Sequence, residues 1–197
     1  MIRATDFNRP WYAKAIELLP AKITGPIVEL GAGNGELAEL TKGRIKKLTL
    51  VDIRRGRNTV RADFNRPLPF RSGEFTGAIS LEVIEHLINH ELFLKEVYRI
   101  LKPRGCLIIS TPNIVWWGYR LFMFLGRPPK KEGYHLRFFT HYSLTRLLKQ
   151  SGFTIIQSNS FTTLPLINRY LPKPIYPSVK FWPNLLAQDL VFLCQKN

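Results

Sequence analysis

Residues 27–40 read IVELGAGNGELAEL. A short apolar run stops at Gly31, glycines recur at Gly33 and Gly35, and helix-forming residues resume at Glu36. Strand, tight turn and helix therefore follow one another within fourteen residues. Glycines at alternate positions let the chain turn sharply and let a ligand approach the backbone with no Cβ in the way. A dinucleotide fold asks for G-x-G-x-x-G with the pyrophosphate on the helix N-terminus. Here the sixth position is Glu36, and Glu29 adds a second carboxylate. Both would repel a pyrophosphate. The chain also lacks a G-x-x-x-x-G-K-[ST] phosphate loop. An acidic glycine loop suits a ligand that carries positive charge.

Working outward, strand-like runs follow at 48–53 (LTLVDI), 59–63 (TVRAD), 77–81 (GAISL), 106–110 (CLIIS), 153–157 (FTIIQ) and 189–194 (DLVFLC). Helical patterns lie between them. One opens the chain at 10–19, with Trp11, Ala15, Ile16 and Leu19 on one side. A second spans 36–40, and a third covers 83–101, broken near Asn89 and stopped by Pro103 and Gly105. A fourth is capped by Thr140 and ended by Gly152. Strands alternating with helices predict an α/β fold with a doubly wound, parallel sheet. At 197 residues the chain is one domain with enough length for a sizeable core. Ligands in such sheets sit beyond the carboxyl ends of the strands.

The acids found there are specific. Asp52 ends the second run, where a carboxylate can accept both hydroxyls of a ribose. Asp63, after the third run, is placed to take an adenine amino group, with Ile53 and Phe64 as apolar faces for the ring. The ligand reads as adenosine joined to a cationic, carboxylated group. S-adenosylmethionine meets that description.

Five segments, ELGAGNGELAEL, VDI, ADFNRPLPF, SLEVIEHL and LKPRGCLIISTPN, stand in order within residues 27–113. Together they resemble the class I S-adenosylmethionine-dependent methyltransferases. The resemblance implies a single Rossmann-like domain over residues 1–197, with a mostly parallel seven-stranded sheet and helices on both faces. It implies an enzyme, with S-adenosylmethionine held by Glu29, Gly31, Ala32, Gly33, Gly35, Asp52, Ile53, Asp63, Phe64 and Leu81, and with His86 as the catalytic residue. Many nucleic-acid amino-methyltransferases of this superfamily carry an N/D-P-P-Y-like tetrad after the fourth strand. Ser80-Leu81-Glu82-Val83 stands there instead, which argues against base N-methylation.

Glu82, Glu85 and His86 fall at i, i+3 and i+4, on one face if the segment is helical. With His135 they form a candidate divalent-metal set. The arrangement resembles that of small-RNA 2′-O-methyltransferases and of some quinone-biosynthesis O-methyltransferases, in which a metal lowers the pKa of the attacking hydroxyl. A metal-free Glu-His pair, with His86 as a base or a structural hydrogen bonder, stays open beside it. His90 and His141 read as exposed or helix-capping residues.

Residues 114–139 exceed an ordinary loop and read as a substrate lid, rich in aromatics (Trp116, Trp117, Tyr119, Phe122, Phe124) and in bases (Arg120, Arg127, Lys130, Lys131). A helix lying on a membrane and a nucleic-acid platform are competing readings. Charge follows the same division. Residues 1–98 carry 15 basic and 12 acidic side chains, whereas residues 99–197 carry 14 basic ones and only Glu132 and Asp189 as acids, so most of the net +15 lies in the second half. That excess points to an anionic partner. No run is long and apolar enough for a membrane span, residues 1–6 have no apolar leader, and Cys106 and Cys194 read as buried thiols, so a cytoplasmic protein is expected. The expected reaction is methyl transfer to an oxygen, before nitrogen or carbon, of an anionic or amphipathic small molecule. An RNA 2′-O-methyltransferase and a non-catalytic S-adenosylmethionine-binding subunit are the alternatives.

Overall fold

In the computed structural model, residues 9–19, 24–54, 56, 58–129, 135–164, 168–171 and 175–197 are described. The elements run α1 (Pro10–Leu18), β1 (Ile27–Leu30), α2 (Glu36–Leu40), β2 (Leu48–Asp52), β3 (Thr59–Arg61) and β4 (Phe75–Leu81). A 3₁₀ turn (Ile84–His86), α3 (His90–Ile100), β5 (Leu101–Pro112), α4 (Trp117–Phe124), α5 (His141–Gln150), β6 (Phe153–Ser158), α6 (Pro183–Leu186) and β7 (Asp189–Lys196) complete them. The strands form one seven-stranded sheet in the order β3-β2-β1-β4-β5-β7-β6. All neighbours are parallel except β7, which runs antiparallel to both β5 and β6. Residues 1–6 and Lys130, Lys131, Glu132 and Tyr134 lie outside the described residues.

Period-two alternation explains the layering, because successive side chains of a strand point to opposite faces. Val28, Leu30, Ala78, Leu107, Ile109, Leu190 and Phe192 belong to one buried cluster with Phe93, Leu94 and Val97 of α3 and Leu144 and Leu148 of α5. Ile27, Ile79, Leu81, Ile108 and Val191 belong to a second, with Tyr12, Ala15 and Leu18 of α1 and Leu37 of α2. Helices thus cover both faces, as the sequence predicts. The buried stripe of α1 runs through Tyr12, Ala15 and Leu18, not through Trp11.

Three expectations need correction. First, β5 begins at Leu101, five residues ahead of the predicted run: Phe75 pairs with Leu101 and Gly77 with Cys106, so the residues between bulge out, with Arg104 at φ +62°. Second, the pattern over 83–101 breaks near Asn89 as expected, but the part before the break is not an α-helix. The chain makes a 3₁₀ turn, and α3 starts afresh where the Asn89 side chain accepts the Leu92 N–H at 2.9 Å. Third, neither His90 nor His141 caps a helix. Asn89 and Thr140 do so, Thr140 in a capping box with Ser143, while the rings of His90 and His141 pack against Phe139 and Phe192. Cys194 is buried, whereas Cys106 is only half-buried; both are free thiols.

Candidate active site

The strand order reverses between β1 and β4, which is where open α/β sheets hold ligands. A cavity of about 560 Å³ opens there, within the range of small-molecule sites. Its walls come from Gly31 and Gly33 after β1, Asp52 and Ile53 at the end of β2, Asp63 and Phe64 after β3, and Leu81 and Glu82 at the end of β4. His86, from the 3₁₀ turn that follows β4, lines it too, so the ends of four neighbouring strands meet at one place.

The loop after β1 is held tightly. The N–H groups of Gly31 and Ala32 both donate to the Val51 carbonyl, at 2.8 and 3.0 Å. Gly31 has φ +92°, and a Cβ there would lie 2.3 Å from Val83 Cγ2. The Gly33 N–H donates to Asp52 Oδ2 at 2.9 Å, and the Arg54 N–H donates to Oδ1 at 2.9 Å. These two bonds fix the Asp52 carboxylate and leave it further acceptor capacity toward the cavity.

Glu29, Ala32 and Gly35 stand behind this wall. Gly35 heads α2 in the left-handed region at φ +79°. Glu29 is 2% exposed, and its Oε2 has no hydrogen-bond partner among the described residues. Burial, and then the nearby Glu36 and Asp52, push its pKa up to about 8. Glu36 turns outward to pair with Arg9 Nη1 at 3.2 Å. Arg9, Trp11 and Tyr12 close the cavity from the start of α1. Asp63 Oδ1 accepts from the backbone N–H and the Nδ2 of Asn65, at 2.9 and 3.2 Å. Asn65 Oδ1 in turn accepts the N–H groups of Ile88 and Asn89. Asn65 thus ties the segment after β3 to the turn that carries His86, a link no local motif announces.

Beyond the cavity, the candidate metal set rearranges. Glu82 has φ +56°, outside any helix, and its Oε1 accepts the Ser110 hydroxyl at 2.9 Å. Glu85 is buried, with Oε2 accepting from Thr111 Oγ1 at 3.1 Å. The Glu85 carbonyl accepts the N–H groups of Leu136 and Arg137, at 2.9 and 3.0 Å, which draws the segment after residue 134 against the turn. The His135 and His86 rings consequently meet edge to face, with centroids 4.8 Å apart. One ligand atom each of Glu85, His86 and His135 lie within 4.8 Å of one another. The four-residue set is therefore corrected to three: without a helix at residue 82, the i, i+3, i+4 spacing does not align Glu82 with the others. A small second cavity, lined by Glu85, Ile114, Tyr119, His135 and Phe138, joins this cluster to the 114–139 segment.

A sequence model of the methyltransferase domain matches residues 6–158. Among curated proteins, a probable S-adenosylmethionine-dependent methyltransferase of Mycolicibacterium smegmatis is 28% identical over 139 residues, which is 66% of this chain and 52% of that protein. A ubiquinone biosynthesis O-methyltransferase of Bartonella tribocorum is 24% identical over 159 residues, 71% of this chain and 64% of that one. The chain thus spans between half and two thirds of the length of these relatives. Among solved structures, an S-adenosylmethionine-dependent methyltransferase of Thermotoga maritima, described as a possible histamine N-methyltransferase, superposes with a TM-score of 0.71. That match covers 95% of this chain and 87% of the other at 23% identity, and it is a likeness of fold. Domain match, strand order and the position of the cavity agree: the chain belongs to the class I S-adenosylmethionine-dependent methyltransferase family.

Proposed function

We propose that the protein transfers a methyl group from S-adenosylmethionine to a hydroxyl oxygen of an anionic or amphipathic small molecule. The observation that carries this reading is the convergence of Glu85, His86 and His135 beside a cavity floored by Asp52. Ser80-Leu81-Glu82-Val83, in place of an amide-bearing tetrad, argues in the same direction.

The residues present fit the cofactor. Asp52, Ile53, Asp63 and Phe64 line the cavity: Asp52 has acceptor capacity for the ribose hydroxyls, Ile53 and Phe64 would offer apolar walls to the adenine, and Asp63 would accept from its amino group. Gly31 and Gly33 leave room for the methionine part, and behind them Glu29 Oε2, with no hydrogen-bond partner among the described residues, would accept from a cationic group that displaces its proton. Leu81 lines the same cavity, with Ala32 and Gly35 behind its wall. When bound, the cofactor supplies an electrophilic methyl on a sulfonium, which an attacking oxygen takes in one displacement. The chain's part is mainly alignment. Where His86 does not ligate an ion, one of its ring nitrogens takes the proton from the acceptor hydroxyl as the carbon–oxygen bond forms. Glu85, His86 and His135 would hold a divalent cation, since one carboxylate and two imidazoles suit such an ion, which would supply Lewis acidity toward the hydroxyl. The 114–139 segment acts as the acceptor lid, through Ile114, Tyr119 and Phe138.

Tritium-labelled S-adenosylmethionine, offered with hydroxylated aromatic acids, with and without an alkyl tail, tests the proposal. Label recovered as an O-methyl ether is expected. Label on nitrogen or carbon overturns the acceptor assignment, and label on the terminal ribose of an RNA oligonucleotide favours RNA 2′-O-methylation. Cofactor binding without transfer to any acceptor favours a non-catalytic subunit.

A further inference from the structure

α4 is apolar on both sides. Trp116 and Tyr119 hold it to the protein, their rings meeting edge-on at 5.2 Å. Gly118 sits so close to Trp116 that a Cβ would lie 2.2 Å from the ring. On the outer side Trp117, Leu121, Met123, Phe124 and Leu125 are exposed, Phe124 by 86%. A surface helix ordinarily turns polar residues to water, and contiguous apolar exposure marks a contact surface.

The patch continues beyond the helix. Phe138 shares a cavity wall with Tyr119. Arg137 donates to the Ile88 carbonyl at 3.3 Å, which sets exposed Ile88 beside exposed Leu136 and Phe138. The carbonyl of Asn113 accepts the Trp116 N–H, and its Nδ2 donates to the carbonyls of Pro183, Asn184 and Ala187 at 3.1, 3.2 and 2.7 Å. α6 is thereby moored to the start of the α4 segment. Just before it, Phe181 and Trp182 stack at 4.9 Å while remaining 68% and 62% exposed.

Charge selects the partner. Arg120, Arg127, Arg137, Arg146 and Lys180 are all exposed. Among the described residues of this half the acid is Asp189, which is 2% exposed. We infer that this surface docks onto an anionic lipid bilayer. Aliphatic and aromatic side chains enter the headgroup boundary, where Trp and Tyr are at home, and the arginines meet lipid phosphates. The contact is interfacial: among the described residues no helix is long and apolar enough to cross a membrane. Leu121, Met123, Leu125 and Ile88 offer nothing to a nucleic acid, whose platforms combine cations with stacking rings. Docked this way, Phe138, which lines the small cavity beside His135, lies against the lipid, so an amphipathic acceptor would approach the site from the bilayer. That last step rests on the methyl-transfer reading; the docking does not.

Flotation with vesicles of phosphatidylcholine alone, and of phosphatidylcholine with phosphatidylglycerol, tests the surface at low and high salt. Capture by the anionic vesicles, weakened by salt, is expected. Phe124→Ser combined with Phe181→Ser should weaken it by roughly tenfold or more, with melting temperature and S-adenosylhomocysteine affinity unchanged. Equal capture of the double variant, or no capture by either vesicle, overturns the proposal. So does salt-sensitive binding of an RNA oligonucleotide without vesicle capture, or a dimer in light scattering that the double variant abolishes. Vesicle capture without cofactor binding leaves the docking standing and removes the methyl-transfer reading.

Discussion

Asp52 Oδ2 accepts the Gly33 N–H at 2.9 Å, joining the loop after β1 to the end of β2. The acid expected to bind a ribose is therefore also the clamp that shapes the glycine loop. Ligand recognition and loop geometry are one unit, and a change at residue 52 acts on both.

Asp52→Asn keeps the shape but exchanges the charge for a neutral amide, whose single oxygen can accept only one of the Gly33 and Arg54 N–H groups. Hydrogen bonds to charged groups contribute roughly 1.5–3 kcal/mol each. Titration calorimetry with S-adenosylhomocysteine should show affinity about tenfold to a hundredfold weaker. Asp52→Ala should cost at least as much and also lower the melting temperature, because the Gly33 and Arg54 N–H groups lose their acceptor. Unchanged affinity in both variants would remove Asp52 from the cofactor site.

Two glycines of the loop should respond differently to the same added methyl. At Gly31 a Cβ meets Val83 Cγ2 at 2.3 Å and φ is +92°. Gly31→Ala therefore combines left-handed strain of roughly 1–2 kcal/mol with overpacking of about 1–3 kcal/mol. Gly33 has φ +53° and open space around a Cβ, but that space belongs to the cavity wall. Gly33→Ala carries left-handed strain without the clash, so it should lose cofactor affinity with a smaller loss of stability, and Gly31→Ala should lose mainly stability. Urea unfolding and ligand titration of both variants separate the effects; a Gly31→Ala protein as stable as the parent contradicts the packing.

The legible parts of this fold are those written locally. Runs such as LTLVDI and DLVFLC carry their strand character within themselves, and Thr140 announces the start of α5. Misread parts depend on partners far along the chain. β5 starts early because Leu101 pairs with Phe75, which overrides the break at Pro103 and Gly105. Glu82 leaves the predicted helical face because Ser110, 28 residues away, captures its carboxylate. Asn65 and Asn113 organise the site by long-range hydrogen bonds, so nothing beside them in sequence marks them. The gathering of Gly31, Gly33, Asp52 and His86 around one cavity is legible because each stands at or just past the end of a strand or in the turn that follows one.

Glu29 makes stability depend on pH in a defined direction. Its pKa rises from 4.5 to about 8 on folding. Between those values the unfolded chain has released a proton that the folded chain keeps, so stability contributed below pH 4.5 is lost as pH rises toward 8. Glu29→Gln has no such proton. The variant should gain on the parent with rising pH, by up to about 1.4 kcal/mol per unit, and the gain should level off above pH 8. Urea unfolding of both proteins across this range measures it. Parallel curves would mean that Glu29 is solvated.

The metal question reduces to which carboxylate belongs to the set. Sequence spacing offers Glu82 and Glu85 alike, but geometry offers Glu85, whose ligand atom lies within 4.8 Å of those of His86 and His135. Donor atoms around one ion at ~2.1 Å lie roughly 3–4 Å apart, so small side-chain rotations would close the site. After treatment with EDTA, adding Mn²⁺ or Zn²⁺ at about a hundred times its dissociation constant should stabilise the protein by about 2.7 kcal/mol. That corresponds to a melting shift of roughly 5–10 °C. His135→Ala, His86→Ala and Glu85→Gln should abolish the shift, while Glu82→Gln should keep it, since its carboxylate is engaged with Ser110. A shift lost in Glu82→Gln would restore the four-residue set. No shift in the parent protein would leave His86 and His135 as a metal-free pair, with His86 alone to take the acceptor's proton.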